Sequence, residues 1–222
     1  MRLRTRLAAA VASTALVAGA ALAGAPAASA LSQSETDSFL GQLTATYNDP
    51  TVSNDGQPYD FDIVTKAVLV TGADGVLASL GKFTLFAPND RAFEQTALRL
   101  GLLPAGYRVG ATVDEKVVFE AVAGLGIPTV TNILLYHVVP GVRVIGDDAV
   151  KLPTFGTRLD TALAGQKIGV TNLTRIFRTP TLILTDNDGR LINDFVVKSK
   201  IDAVKTTNTV VHGVSDVLLP KL

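Results

Sequence analysis

The chain has 222 residues, 47% of them hydrophobic, with 20 basic and 20 acidic side chains and no cysteine. That length gives one domain of ordinary size a full apolar core, and without cysteine the core alone must hold it, with no disulfide, thiol redox chemistry or thiolate metal site. The balanced charge is unsuited to a nucleic-acid backbone, which is bound through clustered Lys and Arg, so no nucleic-acid partner is expected.

Arg2, Arg4 and Arg6 precede an apolar stretch from Leu7 to Gly24, and Ala28-Ser29-Ala30 offers the small-x-small pattern of a cleavage site. Residues 1–30 are therefore expected to be a signal peptide, with Leu31 as the mature N-terminus. The stretch approaches the length of a membrane span, but its Ala and Gly content is that of the more weakly apolar signal. Acylation of a lipoprotein needs a cysteine, and neither a second membrane-length run nor an anchor tail is found, so no stable membrane insertion is expected after cleavage. The expected location is secreted, either extracellular or associated with the cell envelope. Residues 1–30 carry three Arg and no acid, so their removal from 20 basic and 20 acidic groups leaves a net charge of −3.

Residues 31–59 are polar, with turns at Asn48-Asp49-Pro50 and Asn54-Asp55-Gly56 and a short helix from Ser34 to about Tyr47; they pack on the domain or lead into it. The domain is expected over residues 60–222. Phe61, Val64 and Val68 recur at helical spacing, with Gly72 as the stop. A second short helix covers Val76 to Leu80, the run Phe83-Thr84-Leu85-Phe86 is rich in strand formers, and Pro88-Asn89-Asp90 turns the chain into a helix through Phe93 and Leu98. Asp114 is the expected cap of a helix with Val118, Val122 and Leu125 on one face, and Pro128 opens the helix that reaches Leu134. From Tyr136 the pattern turns mostly to strand: Tyr136–Val139, Val142–Ile145, Lys167–Val170, Thr181–Thr185, Phe195–Val197 and Val210–Val214. Asp186-Asn187-Asp188-Gly189 reads as a hairpin turn. Helices first and strands second, without regular alternation, make the class α+β.

Chemistry-bearing patterns are sparse. The two histidines, His137 and His212, sit in apolar runs, and neither H-E-x-x-H nor paired-cysteine spacing is present. Gly213-Val214-Ser215-Asp216-Val217 lacks the second glycine of a nucleophile elbow, leaving a convergent triad through either histidine as the open catalytic alternative. Gly75 to Gly81-Lys82-Phe83 departs from a phosphate loop in spacing and in the residue after Lys. Asp186 and Asp188 suit a turn better than a calcium loop, Asp147-Asp148 reads as solvated loop, and Asn172-Leu173-Thr174 fits a glycosylation sequon. No enzyme activity, catalytic residue, cofactor or metal is expected.

Three segments nevertheless form a recognisable series. Phe83-Thr84-Leu85-Phe86-Ala87-Pro88-Asn89-Asp90-Arg91-Ala92-Phe93, Leu134-Leu135-Tyr136-His137-Val138-Val139-Pro140-Gly141, and Asn208-Thr209-Val210-Val211-His212-Gly213-Val214-Ser215-Asp216-Val217-Leu218-Leu219-Pro220 resemble, in order, the three boxes of the fasciclin domain. Gly156-Thr157-Arg158-Leu159 and Gly165-Gln166-Lys167-Ile168-Gly169-Val170 echo its middle strands. Thr209, Gly213 and Ser215 stand where the family usually has Gly, Val and Asp, and the chain is longer around Gly101–Val113 and Thr171–Pro180.

The resemblance, which is to a secreted bacterial single-domain member, implies a β-wedge flanked by helices. It also implies a non-enzymatic adhesion or binding module whose partner is a protein or glycan at a cell surface or in the matrix. By the same resemblance Tyr136 and His137 are candidate partner-binding residues, while Phe86, Pro88, Asn89, Phe93, Asn208 and His212 are structural. His212, on one face of its strand with Val210 and Val214, is expected to be buried. Where animal adhesion motifs pair Asp with Ile, this chain has Ala203 and Val204, with Asp202 displaced by one position. The alternative is a small-ligand carrier, or an enzyme with an unrecognised site between helices and wedge.

Overall fold

Phe61 and the apolar spacing after it produce the first helix of the computed structural model, which describes residues 55–187 and 194–221. The expected signal peptide and the Ser34–Tyr47 helix lie outside those residues, and the turn at Asp186–Gly189 runs across their boundary. Helix α1 (Asp62–Thr71) ends where Gly72 takes φ +70°, a left-handed conformation that returns its N–H to Leu69 and Val68 carbonyls. Helix α2 (Ala73–Leu80) follows, then strand β1 (Phe83–Pro88). Asn89 caps helix α3 (Asp90–Arg99) by accepting from Ala92 N–H, and Asp114 caps α4 (Glu115–Ala123) by accepting from Val117 N–H. Pro128 lies in the first turn of α5 (Ile127–Tyr136).

The second half holds β2 (Val138–Pro140), a short α6 (Gly146–Ala149), β3 (Thr157–Asp160), β4 (Lys167–Asn172), a short α7 (Thr174–Phe177) and β5 (Leu182–Thr185). A 3₁₀ turn (Lys198–Lys200), β6 (Val204–Lys205) and β7 (Thr209–Val214) complete it. One sheet has the order β2-β1-β7-β6 and the other β3-β4-β5. The bridges Ile183–Phe195 and Val196–Val214 join them along a common strip. The class is α+β, two small sheets with flanking helices. No single helix among the described residues is long and apolar enough to cross a membrane.

Strands β1 and β7 pair in parallel, with Phe83 opposite Thr209 and Phe86 opposite His212. Every residue of both strands is buried, because each face of the sheet is covered. Phe83, Leu85, Ala87 and Val211 join a core with Phe61, Val64, Phe93, Val118 and Ile133 of the helices. Phe86 and Val214, on the other face, join Tyr136, Ile168, Val170 and Leu184 above the small sheet. Each large apolar side chain so buried contributes about 1.5–3 kcal/mol relative to exposure.

Two expected strands take other forms. Tyr136 completes α5 and His137 follows as its C-cap, so only Val138–Pro140 is extended; the imidazole donates from Nδ1 to Ile133 O at 2.7 Å and so satisfies a terminal carbonyl of the helix. Val142–Ile145 joins no ladder, because side chains occupy its backbone: the Thr84 hydroxyl donates to Val142 O and accepts from Val144 N–H, and His212 Nε2 donates to Val144 O.

The departures from the family pattern have local reasons. The Thr209 hydroxyl lies 2.7 Å from that of Thr206 in the turn between β6 and β7, and Ser215 Oγ accepts from Phe195 N–H at the strip joining the sheets. A Cβ on Gly213 would stand 2.6 Å from Lys200 Cβ and 3.1 Å from Phe61 Cζ, so glycine permits that close approach. Gly213→Val is expected to cost about 1–3 kcal/mol by overpacking, although Val is the usual residue of the family box. Denaturant unfolding checks this; a midpoint equal to the wild type would show that Lys200 and Phe61 yield freely.

Candidate functional site

Tyr136 and His137, the expected partner-binding pair, are 0% and 1% exposed. Tyr136 donates its hydroxyl to Lys167 O at 3.0 Å, tying α5 to the small sheet. His137 bonds through both ring nitrogens, donating from Nδ1 to Ile133 O and accepting at Nε2 from Leu218 N–H at 2.9 Å. The second family box is thereby fastened to the third. His212 holds the opposite tautomer: Nε2 donates to Val144 O at 2.7 Å and Nδ1 accepts from Asp202 N–H at 3.1 Å. Asp202 Oδ1 stands 3.7 Å from that nitrogen, too far for a hydrogen bond, and the backbone N–H already occupies the lone pair. Burial pushes His137 down to about 4 and lowers His212, against smaller opposing effects of their carbonyl acceptors. Both rings are neutral links between backbone segments.

The other expected structural residues follow the same logic. Phe86 stacks 5.7 Å from the His212 ring, Phe93 is 3% exposed in the helical core, and Pro88 ends β1 opposite Val214. Asn208 O accepts from Phe83 N–H where the parallel pair begins. Asp202 takes φ +53° and accepts from Gly146 N–H, and Val204 is buried. The sequon at Asn172 is sealed as well: its amide donates to the carbonyls of Ala149, Val150 and Leu152, and the residue is 1% exposed.

Accessible chemistry gathers elsewhere. Beyond the carboxyl ends of β1 and β7, a cleft of about 380 Å³ is lined by Tyr59, Arg91, Gln95, Phe195, Ser215 and Asp216, among others. Tyr59 is 61% exposed and Phe195 43%. Arg91 is held by the buried carboxylate of Glu94 and by Gly110 and Ala111 carbonyls, and Tyr107 donates to Glu94 at 2.6 Å. The long Gly101–Val113 loop is thus fastened beside the cleft. Exposed aromatics around a fixed guanidinium are the composition of a protein or glycan contact surface. Sequence reading missed this cleft because its residues come from four separated segments, although exposed Tyr59 just before a helix was a partial cue. The gaps between helices are far smaller: one beside Phe93, Ile133 and Leu219 measures about 20 Å³ and one beside Phe119 and Ile127 about 30 Å³, each the size of a water. Next to the cleft, oxygens of Asp60, Asp90 and Glu115 lie within 4.8 Å of one another, as do those of Asp55, Asp62 and Glu115; among the described residues these could hold a metal.

Residues 59–220 match the family model for the fasciclin domain. The chain is also similar to a solved FAS1 domain pair from the insect cell adhesion molecule Fasciclin I, at 17% identity and TM-score 0.45, over 69% of this chain and 43% of that one. It thus spans less than half of that solved chain. No curated protein matches it.

His137→Gln is expected to change the pH dependence of stability. The ring titrates near 6.5 when unfolded and about 4 when folded, so the unfolded chain binds more protons between those values. Its contribution is complete above pH 6.5 and falls as the pH drops toward 4. Glu115, pushed up to about 7 mainly by burial, acts in the opposite sense over an overlapping window, so the wild-type-minus-variant difference is the quantity to read. Urea unfolding from pH 4 to 7 should give a difference that rises with pH; a flat difference would place a titrating, solvated ring at 137.

Proposed function

The chain belongs to the fasciclin domain family, and from that premise we propose a secreted, non-enzymatic adhesion module that attaches to a protein or glycan at a cell surface or in the matrix. In this reading residues 1–30 are the export signal, 31–59 lead into the domain, and 60–222 form it. The observation that carries the reading is the contrast between the two kinds of site. Both histidines spend their ring nitrogens on backbone partners, which leaves neither as a general base, whereas Tyr59 and Phe195 present aromatic groups to solvent beside the Glu94-paired Arg91. Tyr136 and His137 then serve attachment by holding the fold, and the cleft makes the contact. The cleft volume supports a second reading, since about 380 Å³ suffices for a small ligand such as a short saccharide.

Attachment of the purified protein to cells or matrix tests this with two variant sets. Tyr59→Ala with Phe195→Ala should weaken attachment by tenfold or more, the size of effect expected for aromatic anchors, with Tm nearly unchanged. Tyr136→Ala or His137→Ala should lower Tm first, since the former empties a fully buried ring site and the latter leaves buried backbone groups unpaired at about 1–3 kcal/mol. Undiminished attachment by the Tyr59, Phe195 variant would overturn the cleft assignment. Saturable binding of a free short saccharide without attachment to cells or matrix would favour the small-ligand reading.

A further inference from the structure

Asp62, Asp90 and Glu115 are the first residues of α1, α3 and α4, and the three helix starts converge on Asp60 and Asp55 of the entering chain. The convergence is built from specific bonds. Asp90 Oδ1 accepts from Ile63 N–H at 2.9 Å, capping α1 from another helix, and Glu115 Oε1 accepts from Gly56 N–H at 3.0 Å. Asp90 and Arg91 N–H groups donate to the carbonyls of Asp60 and Pro58, and Val113 N–H to that of Gly56. These bonds leave the remaining oxygens facing one another. Asp90 is 0% exposed, Asp60 5% and Glu115 0%, yet no donor from outside the cluster reaches Asp90 Oδ2 or Asp60 Oδ1. Buried carboxylate oxygens ordinarily have a donor or a cation.

We propose that Asp60, Asp90 and Glu115 form a binding site for a hard divalent cation of the calcium class, which fastens the segment around Tyr59 to the starts of α3 and α4. The ligand oxygens lie within 4.8 Å of one another, the span of two oxygens on opposite sides of an ion with calcium-length bonds of about 2.3–2.6 Å. The donor set is all oxygen, with no thiolate or imidazole, which selects hard cations over transition metals. Asp55, exposed at the outer edge and within the same distance of Asp62 and Glu115, supplies an entry from solvent. Without an ion, the inner pair satisfies itself by sharing a proton: burial first, then the hydrogen bond that Asp90 donates to Asp60, pushes Asp90 up to about 11, while burial raises Asp60.

The test is thermal unfolding of the full chain, stripped with EDTA and titrated with calcium alone. Wild type should gain Tm saturably, by about 5 °C or more at a hundredfold excess over Kd. Asp90→Asn copies the protonated acid: its Oδ1 still accepts from Ile63 N–H and its amide can donate to Asp60. It should fold in EDTA with a Tm at least equal to wild type and lose the calcium response, and Asp60→Asn serves as the second variant. A wild type insensitive to calcium up to about 10⁻³ M, the range of extracellular modules, would overturn the site and leave a proton-sharing pair. A response retained in both Asn variants would overturn it too, by placing the ion elsewhere.

Discussion

The parallel pairing of β1 with β7 is the constraint on which the other contacts depend. It brings Phe83–Pro88 against Thr209–Val214, so the first and third family boxes become neighbours across most of the chain between them. Such a long-range pairing carries a loop-closure cost and has to be held by packing on both faces. The helices cover one face and the small sheet the other, which makes every position of both strands an interior one. An interior sheet has no solvent for its polar side chains. Thr84 and His212 therefore bond to the backbone of Val142–Val144, and His137 to that of Ile133 and Leu218. The histidines follow from the sheet: they supply hydrogen bonds to segments that reach no ladder.

Much of this was legible in the sequence because it rests on local physical chemistry. Gly72 as a helix stop, Asn89 and Asp114 as caps, Pro128 in a first turn and the apolar run of β1 each depend on a residue and its immediate neighbours. The order of the three boxes supplied the family and, through it, a β-wedge flanked by helices; the division into two sheets came from the structure. The misreadings arose where distant groups decided the local form. Val142–Ile145 has strand composition, but side chains from β1 and β7 occupy its backbone. Tyr136 and His137 have strand composition too, yet His137 satisfies the helix carbonyl of Ile133. Gly213 was visible as a departure from the family box, while its cause, the approach of Lys200 and Phe61, is a matter of tertiary distance.

The sites were harder to read than the fold for the same reason. The cleft draws on Tyr59, on the start of α3, on Phe195 and on the end of β7, and no spacing along the chain unites them. The acids of the cluster are separated by up to sixty positions (Asp55 to Glu115), and each alone reads as an ordinary turn or helix-start residue. The boxes that identify the family are the buried parts, fixed by the demands of the sheet. The cleft, at the carboxyl ends of the same two strands, takes Arg91, Ser215 and Asp216 from the boxes themselves and Tyr59 and Phe195 from outside them. In the proposed reading the buried box residues hold the frame and the exposed aromatics make the contact.

That division of labour turns on whether the two box histidines are sealed and neutral. Nitrogen NMR of the imidazole rings as a function of pH reads this directly. The account predicts opposite tautomers, the proton on Nδ1 of His137 and on Nε2 of His212, both slow to exchange with solvent, with His137 neutral through pH 5.5 and His212 held below its ordinary range by burial. A ring of either histidine that titrates near 6.5 and exchanges freely would contradict it, returning that residue to the accessible surface.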